Sequence, residues 1–454
     1  MKQIDVLPND VLLEIFDFYL TMDPLYAAAT EIEPWRSLVH VCRRWRGLIF
    51  ESPRRLNLQL LCTPVTSTRD KLDTWPALPL IVRGNLTSGL LSDMPVDNII
   101  RALEQSNRVS QVTLWDLADW QLEEVSAAMQ VPFPELTFLQ LSSDDETPLV
   151  IPDSFLGGSA PRLRYFDLDR IPFPGLPTLL LSATHLVQLW LTNIPHSGYI
   201  SPEAMVALLC ASSSLEAVSL RFESPESRPD SQSRSLPPTK RSILPALAYF
   251  RFKGVNEYLE DVVTFIDAPQ LKNMQIYFFN QINFDTRRLA QFINRTPELG
   301  KDDEVYVEFG NRSVHVLFMS LQIVIECREP ERRLSSVAQV CNSFLPSTVE
   351  DLHIDHHDRH RRLVWKNDAI ENTLWLQLLL PFTAVMNLYL YKEFAPSIAA
   401  ALQELAGAGI TEVLPSLQNI FVEKLELSGP FQENIEQFVA ARQLSGRPIA
   451  IFVR

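Results

Sequence analysis

Apolar residues recur along the chain at positions i, i+3 and i+5. Early copies of this pattern lie 23 to 32 residues apart, counted on the last apolar position. Apolar residues two positions apart face the same side of a strand, so each copy predicts a short strand that is buried on one face. The copies are Val109/Val112/Leu114, Leu136/Leu139/Leu141, Leu163/Phe166/Leu168, Leu186/Leu189/Leu191, Leu215/Val218/Leu220, Leu247/Phe250/Phe252, Leu271/Met274/Ile276, Val349/Leu352/Ile354, Val385/Leu388/Leu390 and Leu417/Ile420/Val422.

Helices are predicted between these strands. Ser201 is a favourable N-cap, Pro202 fits the first helical turn, and Met205 and Leu208 follow at helical spacing. A strand–helix unit of this size cannot bury its own apolar face, whereas stacked units can. The pattern resembles a degenerate leucine-rich repeat. This resemblance implies an α/β solenoid that is curved, with parallel strands inside and helices outside.

The repeat is irregular around 277–348. Glu304–Phe309 and Ser313–Phe318 flank Gly310-Asn311, and the run Leu321–Cys327 follows. Two alternating runs joined by a glycine-containing turn are typical of a β-hairpin. The sequence therefore predicts an antiparallel insertion within the repeats.

Residues that alternate with the buried positions are expected to form an open surface on the strands. Tryptophan, tyrosine and arginine dominate the binding energy of many protein interfaces. We therefore expect this face to bind a protein substrate, although a register shift of one residue would invert it and the charges would then only solvate the sheet. The candidate substrate-binding residues are Trp115, Asp167, Asp169, Trp190, Arg221, Arg251, Lys253, Tyr277, Tyr389 and Tyr391.

The N-terminal stretch Ile4–Phe50 differs from the repeats. One run carries Val11, Leu12, Ile15 and Phe16 at helical spacing, and a second run carries Trp35, Leu38, Val41 and Trp45. Two short helices cannot form an independent core, so they need partners. The stretch predicts either a groove-binding helical module or an ordinary hairpin packed on the following domain.

The blocks LPNDVLLEIF, at 7–16, and VCRRWR, at 41–46, together resemble an F-box, with a spacer Thr21–Pro34 that is longer than usual. The degenerate repeats add a resemblance to the large fungal F-box families. The resemblance implies a helical module at 1–52 that binds the Skp adaptor of a cullin ubiquitin ligase, and a substrate-recognition domain at 53–454. The implied adaptor contacts, or their supporting core, are Leu7, Pro8, Val11, Leu12, Ile15, Phe16, Val41, Cys42 and Trp45.

The composition limits the kinds of partner and the cellular compartment that we expect for this chain. The chain is 46% hydrophobic and its net charge is −15, so it is globular and has no general affinity for nucleic acid. The five cysteines are scattered without a CxxC pair, which is typical of reduced intracellular thiols. We expect a cytoplasmic or nuclear protein with no signal segment and no membrane span.

No enzyme signature is present. The sequence lacks a glycine-rich phosphate loop, a GxSxG elbow and an HExxH motif. Four histidines and two aspartates between His353 and His360 are a weak metal-binding candidate, and a solvated polar loop explains them better. We therefore expect a non-catalytic ligase subunit without a cofactor or metal. The alternatives are an adaptor-binding scaffold that lacks a cullin, or a metal-dependent enzyme that uses this cluster.

The segment Glu223–Arg241 contains four prolines and almost no apolar residues. Such a composition cannot contribute to a core. It predicts a loop between two repeats, with Ser224, Ser227 and Ser231 as the alternative of a phosphorylated regulatory segment.

Overall fold

A computed structural model describes residues 7–21, 33–86, 96–145, 149–225, 241–281, 284–344, 348–357, 371–405, 412–423 and 430–453. The chain divides into two compact units, Met1–Tyr199 and Ile200–Arg454. Most of the predicted loop 223–241 lies outside the described residues. Among the helices that are described, none combines the length and apolar character needed to cross a membrane.

Within the described residues, the first unit begins with the helices α1 (Asn9–Thr21), α2 (Trp35–Val39) and α3 (Arg43–Glu51). The Cys42 thiol accepts a hydrogen bond from the backbone N–H of Trp45 and so caps α3. The carbonyl oxygen of Leu7 and Oδ1 of Asn9 both accept hydrogen bonds from Arg44, which fasten the start of α1 to α3. The two predicted blocks therefore meet in space.

Strands and helices then alternate along the first unit. Its strands are hydrogen-bonded in sequence order, and every neighbouring pair is parallel. The elements are β1 (Leu60–Cys62), α4 (Thr68–Thr74), β2 (Leu80–Asn85), α5 (Asp97–Leu103), β3 (Val109–Leu117), α6 (Asp119–Ala128), β4 (Phe138–Ser143), β5 (Tyr165–Asp169), α7 (Leu176–Leu180) and β6 (Gln188–Ile194).

The second unit continues the alternation. Its main sheet has the order β7-β9-β11-β14-β13-β12-β15-β16-β17-β18, and β8 pairs with β10 separately. The elements are α8 (Pro202–Ala211), β7 (Ala217–Phe222), β8 (Ser242–Ile243), β9 (Tyr249–Gly254), α9 (Asn256–Phe265), β10 (Ile266–Asp267), β11 (Asn273–Phe278), α10 (Arg287–Arg295), β12 (Glu304–Phe309), β13 (Ser313–Leu317), β14 (Leu321–Glu326), α11 (Pro330–Phe344), β15 (Asp351–His356), α12 (Asn372–Leu379), β16 (Asn387–Tyr391), α13 (Ala395–Glu404), β17 (Asn419–Glu423), α14 (Pro430–Leu444) and β18 (Ala450–Val453).

The predicted antiparallel insertion is confirmed. Strand β13 runs antiparallel to both β12 and β14, while β14 is parallel to β11 and β12 is parallel to β15. The insertion therefore reverses one strand and leaves the parallel order intact on either side. The guanidinium of Arg333 holds this region, because it donates to the carbonyl oxygens of Cys327, Gly310, Asn311 and Arg328.

Burial alternates along the strands as the apolar pattern predicts. In β5, β9, β11 and β15 every second residue is buried, and the apolar i+3 and i+5 positions of all ten copies lie in the core. Many neighbouring helices within each unit contact one another, and their apolar residues complete the core with the buried face of the sheet. The fold is therefore a mixed α/β array with largely parallel sheets, and its predicted curvature stays a prediction.

Two predicted element boundaries were wrong. The alternating apolar run Leu56–Leu60 predicts a strand, but residues 53–57 form turns, and the strand covers Leu60–Cys62. Leu56 and Leu58 are buried although they lie outside the sheet, and Asn57 has a positive φ of 47°. The apolar alternation here reflects a buried turn, which sequence periodicity alone does not distinguish from a strand. The apolar run Leu78–Val82 likewise predicts a strand, and the strand found there covers Leu80–Asn85.

Candidate protein-binding surfaces

One side of helix α1 packs inside the first unit. Leu12, Leu13 and Phe16 are buried, and the ring of Phe16 contacts the ring of Trp45 edge-on at 4.7 Å between centroids. These contacts place three of the predicted adaptor residues, Leu12, Phe16 and Trp45, in the supporting core of the helices.

The other side of α1 carries apolar side chains that face solvent. Val11, Ile15, Phe18 and Tyr19 are 41%, 46%, 65% and 48% exposed, and we call these four residues the α1 patch. Their spacing of three or four residues places them on one stripe of the helix. Among the other predicted adaptor residues, Val41 and Pro8 are exposed, whereas Leu7 and Cys42 are half-buried. An exposed apolar stripe of this kind marks a binding surface.

Helix α2 packs against the first strand of the array. The indole N–H of Trp35 donates to the carbonyl oxygen of Gln59, and its ring meets that of Trp75 edge-on at 5.0 Å. Glu33, which is 6% exposed, forms an ion pair with Lys71 and accepts a hydrogen bond from the N–H of Leu61. Contacts therefore run from the helices into the repeats. The predicted boundary at 52/53 stays a prediction.

The open sheet face of the first unit carries Trp115, Asp167, Asp169 and Trp190, all half-buried. Asp167 and Trp190 are directly opposite on β5 and β6. Burial raises the pKa of Asp167 to about 6, although its carboxylate accepts hydrogen bonds from Tyr165 and Gln140. This part of the face therefore combines carboxylates with aromatic rings.

The open face of the second unit begins with basic residues. Arg221 and Lys253 are opposite each other on β7 and β9, and Lys253 is opposite Tyr277 on β11. The guanidinium of Arg251 lies 5.1 Å from the ring centroid of Tyr277, within the range of a cation–π contact. Lys253 also forms an ion pair with Glu326 at 3.3 Å.

Five aromatic rings form a continuous stack further along the same sheet. Their neighbouring centroids lie 4.3, 4.0, 4.6 and 5.0 Å apart, with interplanar angles of 20°, 1°, 10° and 17°. Because these distances are close to the spacing between strands, each strand contributes one ring at the same register. The stack consists of Tyr306, His353, Tyr389, Phe421 and Phe452, and we call it the aromatic stack.

Carboxylates lie on both sides of the aromatic stack. Glu304 accepts a hydrogen bond from the hydroxyl of Tyr306 and lies 2.8 Å from Nε2 of His353. The flanking acidic residues, each two positions from a ring of the stack on its own strand, are Glu304, Glu308, Asp351, Asp355 and Glu423. The surface therefore combines exposed ring edges with negative charge.

Only part of this surface is evident from the sequence. Tyr389 was a predicted substrate-binding residue and lies in the stack, and Tyr391 follows it on the open face beside Glu423. Tyr306, Phe421 and Phe452 were missed as candidates. Tyr306 and Phe421 were within reach of the sequence, because each alternates with buried residues in the same way as Tyr389.

The His353–His360 cluster does not converge where it is described. His353 and Asp355 lie on the open face of β15, whereas His356 is buried and points to the opposite face. Residues 358–360 lie outside the described residues. His357, just after the strand, instead contacts Glu308 and His315 of the hairpin. The separation follows from strand alternation, which sends neighbouring side chains to opposite faces.

No protein-family model matches this chain, and no curated protein is significantly similar to it. Solved structures do match, among them the leucine-rich-repeat-containing protein LegL7 from Legionella pneumophila, with a TM-score of 0.28 and 13% sequence identity. That match covers 84% of this chain and 97% of the other. The description of the fold rests on the strand register given above and not on this likeness.

Proposed function

We propose that this protein is the substrate-recognition subunit of a Skp–cullin–F-box ubiquitin ligase. The observation that carries the proposal is the α1 patch, where Val11, Ile15, Phe18 and Tyr19 leave apolar side chains in solvent. A soluble protein rarely exposes a helical stripe of this kind without a partner. An amphipathic helix that enters a hydrophobic groove is a common mode of partner recognition.

The adaptor-binding role divides the predicted residues into two groups. Val11, Ile15 and Val41 are exposed and make the contact, and Phe18 and Tyr19 extend it. Leu12, Phe16 and Trp45 hold α1 against α3, so they orient the contact residues. Leu7, Pro8 and Cys42 fix the ends of these helices.

The substrate-binding role belongs to the open strand faces of the two units. In the second unit the aromatic stack is bordered by carboxylates, and rings beside negative charge favour lysine or arginine side chains. The basic residues Arg221, Arg251 and Lys253 favour an acidic segment of the ligand at the other end of that sheet. The substrate would therefore be a protein whose bound surface carries both charges.

In this role the protein binds its partners but does not catalyse a reaction, because the ligase chemistry belongs to the cullin-bound enzymes. The rival is a scaffold that binds the adaptor but no cullin. The test is stepwise reconstitution, in which the purified chain is mixed first with a Skp adaptor and then with a cullin. Binding of the cullin only in the presence of the adaptor supports the ligase role, and a stable adaptor complex that excludes the cullin supports the scaffold.

A further inference from the structure

Three potential metal ligands come together at the reversed strand of the second unit. Glu308 of β12 and His315 of β13 are directly opposite in the antiparallel pairing. His357 follows β15, and its Nδ1 lies 2.7 Å from Oε2 of Glu308. One ring nitrogen from each histidine and one carboxylate oxygen all lie within 4.8 Å of one another.

The ring of His315 is buried, and within the described residues only one of its two nitrogens has a hydrogen-bond partner. Its Nε2 lies 2.9 Å from the Ser313 hydroxyl, while Nδ1 has no hydrogen-bond partner within the part of the chain that is described. The side chain is 8% exposed, and the ring of His357 covers it at 3.7 Å between centroids. A buried polar atom without a partner is costly, and a bound ligand would remove this cost.

We infer that Glu308, His315 and His357 form a binding site for a divalent transition-metal ion of the zinc class. Two imidazoles and one carboxylate are a ligand set that zinc uses when a fourth position stays open. The Ser313 hydroxyl fixes the His315 ring from the second shell. This site shares only His357 with the histidine cluster that the sequence suggested.

The distances require only a small adjustment to bind an ion. Ligand atoms about 2.1 Å from a tetrahedral ion lie ~3.4 Å apart, compared with at most 4.8 Å here. His357 is 44% exposed and lies beyond the end of its strand, so its side chain can make most of this adjustment. An open pocket of about 650 Å³, lined in part by Ser313, His315 and His357, gives access to the site.

A bound ion would join the hairpin to the end of β15. Glu308 and Asp355 are already opposite each other in the register of the parallel strands β12 and β15. The backbone N–H of His357 also donates a hydrogen bond to the carbonyl oxygen of Phe309. With three ligands from the chain, a fourth coordination position would remain for water or for a side chain of a bound protein. The inference does not depend on adaptor binding, and its test leaves the proposed function untouched.

The test is metal binding by the full chain after chelator treatment. Co²⁺ is added while its visible absorption is recorded, because intensity and band position report ligand number and geometry, and Zn²⁺ is then used as competitor. The variants are His357→Ala and Glu308→Gln, both at side chains with solvent access. His360→Ala, outside the described residues, is the matched control for the neighbouring histidines.

We expect one Zn²⁺ per wild-type chain, and a loss of affinity of at least about tenfold in both site variants. The control should bind like the wild type. Binding that is absent from the wild type, or that both site variants retain, overturns the inference. Loss of binding in His360→Ala but not in His357→Ala also overturns it, because the ion would then lie elsewhere. Circular dichroism of each variant confirms that it is folded.

Discussion

Phe16 of α1 lies edge-on against Trp45 of α3, with 4.7 Å between ring centroids, and Phe16 is fully buried. Close to Phe16 in sequence but on the other side of the helix, Ile15 and Phe18 are 46% and 65% exposed. Helix α1 therefore has a buried side and a solvent-exposed side. This separation allows the stability of the helices and the binding of a partner to be tested by different substitutions.

The buried side should govern stability. Replacing Phe16 with Ala removes a fully buried ring and the contact with Trp45, so it should lower the free energy of unfolding by about 3–5 kcal/mol. The measurement is urea denaturation followed by tryptophan fluorescence. Phe18→Ala is the control, because removal of this exposed side chain should lower the free energy of unfolding by less than about 1 kcal/mol. Equal effects of the two substitutions would contradict the assignment of the two sides.

The aromatic stack should stabilise the second unit unevenly along its length. Tyr389 stacks on His353 and Phe421, whereas Phe452 stacks on Phe421 alone and is 45% exposed. Since each aromatic pair contributes about 0.5–1.5 kcal/mol beyond its buried area, Tyr389→Ala should destabilise more than Phe452→Ala. Thermal unfolding of both variants checks this order, and the reverse order would count against a continuous stack.

The buried Arg333 should be irreplaceable by lysine. Its guanidinium donates to four carbonyl oxygens around the hairpin, and the residue is 4% exposed. Lysine keeps the charge but cannot reach these oxygens with one planar group. Because Arg333→Lys loses at least one hydrogen bond from a charged donor, it should lower the free energy of unfolding by about 2–3 kcal/mol. Hydrogen exchange at residues 304–326 measures the loss, and Arg287→Lys, at an exposed position, is the control.

Glu260 should make the stability depend on pH. Burial raises its pKa to about 7, although it accepts hydrogen bonds from the backbone N–H groups of Arg288 and Leu289 at the start of α10. Because the folded pKa lies above the usual value near 4.5, the folded state holds its proton more tightly. The stabilisation is complete below pH 4.5 and is lost as the pH rises through 7.

Comparison with Glu260→Gln isolates this effect. The free energy of unfolding of the wild type should fall relative to that of the variant by up to roughly 3 kcal/mol between pH 4.5 and pH 8. Chemical denaturation of both proteins across this range provides the measurement. A difference that stays constant with pH would show that Glu260 titrates normally.

The sequence predicted the repeating strands well, for a physical reason. In Leu186/Leu189/Leu191 and its equivalents, burial on one face imposes a period of two, and a local pattern records it. The hairpin was equally predictable, because Gly310-Asn311 lies between two alternating runs. Helix α8 was predicted from Ser201 as its N-cap, and the hydroxyl of Ser201 accepts a hydrogen bond from the backbone N–H of Ala204.

The candidate sites were less predictable, because they depend on pairing between distant strands. Phe421 meets Tyr389 only through the register of β16 and β17, and Glu308 meets His315 only because β13 is reversed. The two sides of α1 show the same limit. Leu12 and Ile15 both follow a helical period, and only packing against α3 decides that the first is buried and the second exposed.

The measurement that tests the proposed function most directly is size-exclusion chromatography with light scattering on the chain mixed with a Skp adaptor. Three proteins are compared, namely the wild type, the double variant Ile15→Asp with Phe18→Asp, and Leu181→Asp. Leu181 is 50% exposed and lies outside the α1 patch, so it controls for the loss of any surface apolar residue.

We expect a one-to-one complex for the wild type and for Leu181→Asp, and separate elution for the folded double variant. A wild-type chain that elutes apart from the adaptor would contradict the proposed function, as would a double variant that still forms the complex.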